Sequence, residues 1–218
     1  PANDRIILYN TLGQPYVFVN TDEGEVTSMT TLGSGSRDTL VYGIPEGANR
    51  GRGLIKRLRF DPNNPTESAV VYSIRGNPNE FIGERLYNVG NLLGNTVDDL
   101  LITVNFNTFS GEDRGTRLMD GSDGYILEQS LYRSSQNSFY TFAEDLALGQ
   151  FDPSTTSSFA YGAPSISTRF NEQGAIFFLN GGVTGYTPGV PIYGQYEFEG
   201  LGISLETLPR QTASADTL

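Results

Sequence analysis

Short runs in which apolar and polar residues alternate recur along the whole chain, and they constrain its fold more than any other feature. The clearest are VVYSIR at 70–75 and LLITVNF at 100–106. A period of two places successive side chains on opposite faces of a β-strand. The pattern therefore predicts many short strands. The other runs of strand length are 5–9, 16–19, 54–60, 125–132, 138–142, 165–170, 175–179 and 192–205.

Residues that favour turns separate these runs. The chain has 26 glycines and 11 prolines, and pairs such as Asp-Gly and Asn-Gly stand where hairpins would turn. We therefore expect an all-β fold, an antiparallel β-sandwich or barrel of jelly-roll-like character, with little helix. Helix is expected only in short pieces, within 81–93 and 142–148.

The 218 residues are expected to form a single β-rich domain over residues 1–208, followed by a polar tail at 209–218. The segments 30–53 and 107–124 are rich in glycine and polar residues and weakly periodic, which predicts long loops or arms. In the last run the apolar phase changes at Gly200-Leu201-Gly202, which predicts one long bent strand with a β-bulge. No internal repeat is apparent in the sequence.

The chain contains neither histidine nor cysteine, and this removes most catalytic chemistry. A Ser-His-Asp triad, a cysteine nucleophile and zinc or copper sites with nitrogen and sulfur ligands are excluded. Adjacent acids such as Glu144-Asp145 do not form the facing carboxylate pair of a glycosidase, because neighbours on a strand point in different directions. We therefore expect a protein that is not an enzyme and needs no cofactor.

Two acidic loops resemble calcium loops in composition alone. Residues 61–64 and 120–124 lack the D-x-[DN]-x-[DN]-G spacing that places several oxygens around one ion. Tight turns account for both loops, and a bound Ca²⁺ would have a structural role. The glycine-rich stretches at 33–38 and 51–56 lack the third glycine of a dinucleotide-binding loop, so no nucleotide site is expected.

A basic strip, RGRGLIKRLR at 50–59, stands out in this acidic protein. The net charge is −11, so removing the strip's five cations leaves −16 on the other residues. Three interpretations compete: an edge strand guarded by charge, a contact with acids of a neighbouring copy, and a polyanion site. The surrounding negative charge disfavours nucleic acid and anionic membranes. The five cations are Arg50, Arg52, Lys56, Arg57 and Arg59.

The second interpretation predicts a subunit interface in which the strip meets the acids Asp98, Asp99, Glu112 and Asp113. We expect a structural protein that self-assembles into a homo-oligomer or polymer, with no specific nucleic acid partner and no membrane insertion. It would be a virion component, such as a phage tail-tube or capsid-associated protein, or an extracellular filament subunit. A virion or extracellular location is favoured accordingly.

The alternative is a secreted carbohydrate-binding β-sandwich module, braced by Ca²⁺. Tryptophan is absent, so the stacking faces would come from tyrosines such as Tyr186, Tyr193 and Tyr196. Monomeric behaviour in solution would favour this alternative over self-assembly.

Overall fold

The computed structural model describes residues 4–9, 12–21, 23–34, 37–47, 51–60, 68–108, 111–126, 132–133, 145–149, 151, 158–182 and 185–206. These residues form fifteen β-strands and no helix, which confirms the predicted all-β class. In chain order the strands are β1 (Asp4–Tyr9), β2 (Pro15–Thr21), β3 (Ser28–Ser34), β4 (Arg37–Ile44), β5 (Leu54–Phe60), β6 (Ser68–Arg75), β7 (Leu86–Gly90), β8 (Asp99–Thr108), β9 (Gly111–Met119), β10 (Tyr132–Arg133), β11 (Leu146–Gly149), β12 (Ser158–Ala163), β13 (Ala175–Gly182), β14 (Gly185–Pro188) and β15 (Ile192–Tyr193).

The strands form four sheets, and each strand pairs antiparallel with its neighbours. Sheet 1 contains β1 and β2, and sheet 2 has the order β3-β4-β5-β6. Sheet 3 has the order β10-β9-β8-β7, and sheet 4 has the order β11-β12-β13-β14 with β15 also beside β13. Sheets 2 and 3 are thus four-stranded meanders of consecutive strands, and sheet 4 is a meander of the same kind with β15 as a fifth strand.

The four sheets pack face to face in a row, so that sheets 2 and 3 are buried on both faces. Alternation along β8 shows this directly, because Ile102 packs with sheet 2 and Leu101 packs with sheet 4. Along β4, Val41 packs with sheet 3 and Tyr42 packs with Ile6 of sheet 1. Face-to-face packing of antiparallel sheets, as in a β-sandwich, thus extends here through four layers.

The prediction of loops or arms at 30–53 and 107–124 is wrong for the residues of these segments that the structure describes. β3 and β4 form a hairpin within the first segment, and β9 fills much of the second. β4 is buried on both faces, so its LVYGI sequence shows no alternation. The period-two signal on which the prediction depended is weak in such a strand.

Four further predicted segments also differ from the structure. The predicted helices at 81–93 and 142–148 overlap β7 and β11 instead, and 165–170 lies in a turn region. In the predicted strand 192–205 only β15 is extended, and the rest is a compact connection. The predicted run at 138–142 lies outside the described residues.

The chain crosses from sheet 2 to sheet 3 through a tightly folded connection at 77–83. Ile82 forms a parallel bridge with Gly53, and its N–H donates a hydrogen bond of 3.3 Å to the Arg52 carbonyl. Asn79 and Phe81 adopt positive φ angles of 63° and 46°, which few residues other than glycine adopt. The connection therefore lies against the backbone of β5 at the cost of local strain.

A second connection, at 196–202, repeats this geometry on the outer face of sheet 4. Leu201 forms a parallel bridge with Gly174, and its N–H donates a hydrogen bond of 3.1 Å to the Gln173 carbonyl. Positive φ recurs at Phe198 and Gly200, with values of 56° and 61°. Each position lies 119 residues after its counterpart, as Gly202 lies after Gly83. The fold therefore contains an internal repeat that the sequence alone did not reveal.

Glycine is required where each connection crosses its sheet. A Cβ on Gly43 of β4 would lie 2.1 Å from the Gly83 carbonyl oxygen, and one on Gly162 of β12 would lie 1.8 Å from the Gly202 oxygen. Both distances are far below van der Waals contact, and the opposing atoms are backbone atoms that cannot rotate away. The two crossings thus use the same pair of glycines for the same steric reason.

We expect Gly43→Ala to destabilise the protein by at least about 3 kcal/mol, because the new methyl group would push apart the connection and β4. Gly94→Ala is the matched control. Its φ is +77° but nothing lies within 4 Å of a Cβ there, so strain alone should cost about 1 to 2 kcal/mol. Urea unfolding measures both, and equal losses would contradict a steric crossing.

Candidate interaction surface

The predicted basic strip does not form a continuous surface. Its strand, β5, is buried on both faces between sheets 1 and 3, so alternation sends neighbouring cations in opposite directions. Arg57 is only 4% exposed and faces sheet 3, whereas Lys56 faces sheet 1. The prediction that Arg57 belongs to a surface contact is therefore wrong.

Arg57 is held by polar groups from two sheets. Its Nε donates a hydrogen bond of 2.8 Å to Thr39 Oγ1, and its Nη1 donates one of 2.6 Å to the Gly121 carbonyl. The guanidinium lies 6.0 Å from the ring centroid of Tyr72, which permits a cation–π contact. Burial lowers the pKa of Arg57, and the nearby Tyr72 and Asp120 partly oppose this effect. Arg57 therefore joins the turn after β9 to sheet 2.

The remaining cations of the strip have separate environments. Lys56 forms an ion pair with Glu23. Arg52 is half-buried and its Nη1 donates a hydrogen bond of 3.5 Å to the Gly76 carbonyl, and Arg59 is exposed. Arg50 lies outside the described residues. Among the described cations of the strip, only Arg59 is exposed. It is therefore the one that fits the interpretation of an edge strand guarded by charge.

The acids proposed as partners for the strip are also separated by the structure. Asp99 is fully buried and accepts hydrogen bonds from the N–H groups of Leu92, Leu93 and Gly121 at 2.7, 2.8 and 3.3 Å. Burial raises its pKa, although these hydrogen bonds act in the opposite direction. The prediction that Asp99 forms an intermolecular contact is therefore wrong.

Asp98, next to it, is half-buried and also has an internal role. Its Oδ2 accepts hydrogen bonds of 2.9 Å from the Gly33 N–H and 3.0 Å from Asn88 Nδ2, which tie sheet 3 to β3. Glu112 and Asp113 lie on β9, and their side chains are outside the described set. The contact predicted between the strip and these acids thus stays a prediction for Glu112, Asp113 and the half-buried Asp98.

We expect Arg57→Ala to lower the free energy of unfolding by roughly 2 to 4 kcal/mol, because it leaves buried carbonyl and hydroxyl groups without a donor and opens a cavity. Arg59→Ala, two residues along the same strand, should change stability by less than about 0.5 kcal/mol. Urea unfolding of both variants tests this contrast. Similar small effects at both positions would mean that Arg57 is not a structural residue.

The structure also exposes an apolar surface, of which the sequence indicates only Tyr196, as a candidate face for sugar stacking. This surface lies on the segment Val190–Ile203, which we call the terminal segment, beside the outer face of sheet 4. Large apolar side chains on exposed positions of this density typically mark an interaction site. The exposed fractions are 86% for Val190, 50% for Ile192, 71% for Tyr196, 67% for Phe198 and 70% for Ile203. Tyr193 is 37% exposed but lies on the opposite face of sheet 4, where its ring contacts Phe177.

Hydrogen bonds hold the terminal segment in one conformation. Glu199 Oε2 accepts from the N–H groups of Gln195 and Tyr196 at 2.6 and 3.1 Å, which closes a compact turn. The strained Phe198 donates its N–H to the Asn171 carbonyl at 2.8 Å. Strain of this kind in a non-glycine residue often marks a functional site. The aromatic rings are therefore presented by a rigid turn.

Asp145, at the start of β11, fastens the end of the same region. Its Oδ2 accepts hydrogen bonds of 2.9 Å from the Leu205 N–H and 3.1 Å from the Ser204 hydroxyl. Burial alone would raise the pKa of Asp145. The hydrogen bonds from Leu205, Leu146 and Ser204, with the charge of Arg85, outweigh it and bring the pKa below its ordinary value.

We expect Asp145→Asn to reduce stability at neutral pH, because the amide can accept fewer of these hydrogen bonds. A carboxyl group whose folded pKa is depressed stabilises the fold above its ordinary pKa of about 4, and this contribution is lost as the pH falls through the lower folded value. The two proteins should therefore differ in urea unfolding at pH 7 and converge at acid pH. A difference that is constant from pH 7 down to pH 3 would contradict the role given to Asp145.

A second apolar feature is a groove of about 430 Å³ between β1 and β3. Arg5 is the charged residue among those that line it. The groove can accept an apolar side chain or segment, but its lining offers no nucleophile or acid-base pair. The lining residues are Arg5, Ile6, Ile7, Leu8, Val26, Met29, Thr30, Thr31 and Leu40.

The described residues contain no group of three or more acidic side chains placed to hold a metal ion. Within the same residues, no helix is long and apolar enough to cross a membrane. No family model and no curated protein matches the chain. Its function must therefore be argued from the geometry of its own surfaces.

Proposed function

We propose that this protein is a non-enzymatic structural subunit that assembles with copies of itself, as a virion component such as a tail-tube or capsid-associated protein, or as an extracellular filament subunit. The observation that carries the proposal is the terminal segment, on which Val190, Tyr196 and Phe198 are each more than 60% exposed. Apolar groups on a rigid turn lose little conformational freedom on binding, so their burial contributes more fully to association.

The acidic charge of the chain determines how the proposed assembly should depend on salt. A net charge of −11 keeps separate copies soluble through mutual repulsion, so association should strengthen as salt screens that repulsion. Apolar contacts themselves do not weaken with salt, and sulfate strengthens them. Self-assembly driven by the terminal segment is therefore expected to increase with ionic strength.

We expect the wild-type chain to sediment as species larger than its 23.8 kDa monomer at high concentration and salt, and to be visible as oligomers or filaments by electron microscopy. Val190→Ser with Tyr196→Ser should abolish this association. The matched control is Val70→Ser with Tyr125→Ser, which removes side chains that are 56% and 61% exposed on other elements. A wild-type chain that stays monomeric at every concentration and salt would contradict the proposal.

Carbohydrate binding is the second candidate, and one observation favours it. Tyr196 lies on the terminal segment with 71% of its surface exposed, and tyrosine faces can stack on sugar rings. Tyr193 is 37% exposed, but its ring lies edge-on to Phe177, so Tyr196 is the better stacking face. The side chain of Tyr186, the third tyrosine considered, lies outside the described set. Glycan-array binding by a monomeric wild-type chain, lost in Tyr196→Ser, would support this candidate over self-assembly.

A further inference from the structure

The outer face of sheet 4 is the structural counterpart of the face of sheet 2 that is covered by sheet 3. In sheet 2, Gly43 pairs with Ile55, and in sheet 4, Gly162 pairs with Ile176. The glycine of each pair is crossed by one of the two equivalent connections described above. The chain therefore builds the same kind of face twice.

Equivalent residues on these two faces differ in exposure. Ile74, which pairs with Ile55, packs against the cluster shared with sheet 3, whereas its counterpart Ile192 is 50% exposed. Ile82 in the first connection is fully buried, whereas its counterpart Leu201 is only half-buried. Within the part of the chain that the structure describes, no sheet covers this side of sheet 4 in the way that sheet 3 covers sheet 2. Ala160 and Ile176 of the face itself are already buried, so the exposed part is the edge at Ile192 and the outer side of the terminal segment.

The acidic residue of each connection shows the same difference. Glu80 is 1% exposed and forms an ion pair with Arg117 of β9, so the covering sheet supplies its cation. Glu199 occupies the equivalent position and is exposed. A partner that covers sheet 4 should therefore bring an apolar sheet face and an arginine.

Sheet 1, at the opposite end of the row, has such a face. Along β1, Ile6 and Leu8 point towards sheet 2, and alternation places Arg5, Ile7 and Tyr9 on the free face. Ile7 is 38% exposed, Tyr9 is 58% exposed, and Arg5 is also exposed. This free face and the exposed side of the terminal segment are thus complementary in both apolar character and charge.

We infer that the outer face of sheet 4 binds the free face of sheet 1 of a second copy, so that the row of sheets continues from one molecule into the next. The inference rests on the proposed self-assembly and names its interface. Such a contact joins two different surfaces, so it produces a closed ring or an open filament, depending on the rotation between copies. Arg5 of one copy would approach Glu199 of the other.

Two single variants and their mixture test this contact. Ile7→Asp disables the face of sheet 1 and Ile192→Asp disables the face of sheet 4, and each should weaken self-association by at least about tenfold, because an unpaired carboxylate would be buried. Each variant retains the face that the other has lost. An equimolar mixture should therefore form a one-to-one dimer in sedimentation velocity and extend no further. Val70→Asp, at an exposed position on β6, is the control and should assemble like the wild type.

The outcomes separate the interface from the proposed function. If the wild type assembles and Ile7→Asp assembles equally well, the interface is wrong although self-assembly stands. If both variants are monomeric and their mixture is too, the two faces do not bind each other. A wild type that is monomeric at all concentrations, with slow hydrogen exchange at Ile192, would show that the chain itself covers this face, and would overturn both proposals.

Discussion

The packing of each sheet on the next is the interaction on which the rest of this structure depends. Sheets 2 and 3 bury both faces, so a side chain on either face of their strands lies in a core. Such packing requires the connections to pass between sheets without forcing them apart. Glycine at Gly43 and Gly162 allows the backbones to meet there. The repeated connection therefore determines how closely one sheet can pack on the next.

Arg57 shows how the layered packing constrains a charged side chain. Arg57 lies in the middle of a strand that is covered on both sides and is 4% exposed, so it must find its acceptors inside the protein. The Gly121 carbonyl and the Thr39 hydroxyl serve this purpose, and Asp99 has a matching role for the loop after β7. A buried charge of this kind restricts how two sheets can be positioned, because few arrangements satisfy its hydrogen bonds.

The sequence predicted the strands well wherever apolar and polar residues still alternate along the run. The run 54–60 coincides with β5, and the runs 70–75 and 100–106 lie within β6 and β8. It failed at β4 and β9, where burial on both sides or a polar sequence removes the alternation. The predicted contact surface was wrong for another reason. Whether Arg57 or Arg59 is exposed depends on which sheet lies opposite each side chain, and the local sequence does not contain this information.

The prediction of one long bent strand at 192–205 was wrong for a specific structural reason. The change of phase at Gly200-Leu201-Gly202 is real, but it arises from a crossing connection and not from a bulge in one strand. The signal that could have identified it is the short similarity between Glu80-Phe81-Ile82-Gly83 and Glu199-Gly200-Leu201-Gly202. Four residues separated by 119 positions are too few to show as a repeat until the backbone places them on equivalent faces.

The positive φ of Phe198 has a consequence for how binding at this surface could change over time. A left-handed conformation is easier for glycine or asparagine than for phenylalanine, so substitution to either residue would stabilise the isolated molecule while removing an exposed ring. The backbone conformation and the exposed ring thus make opposite demands on the residue at this one position: glycine or asparagine would relieve the strain, and only the aromatic residue supplies the ring.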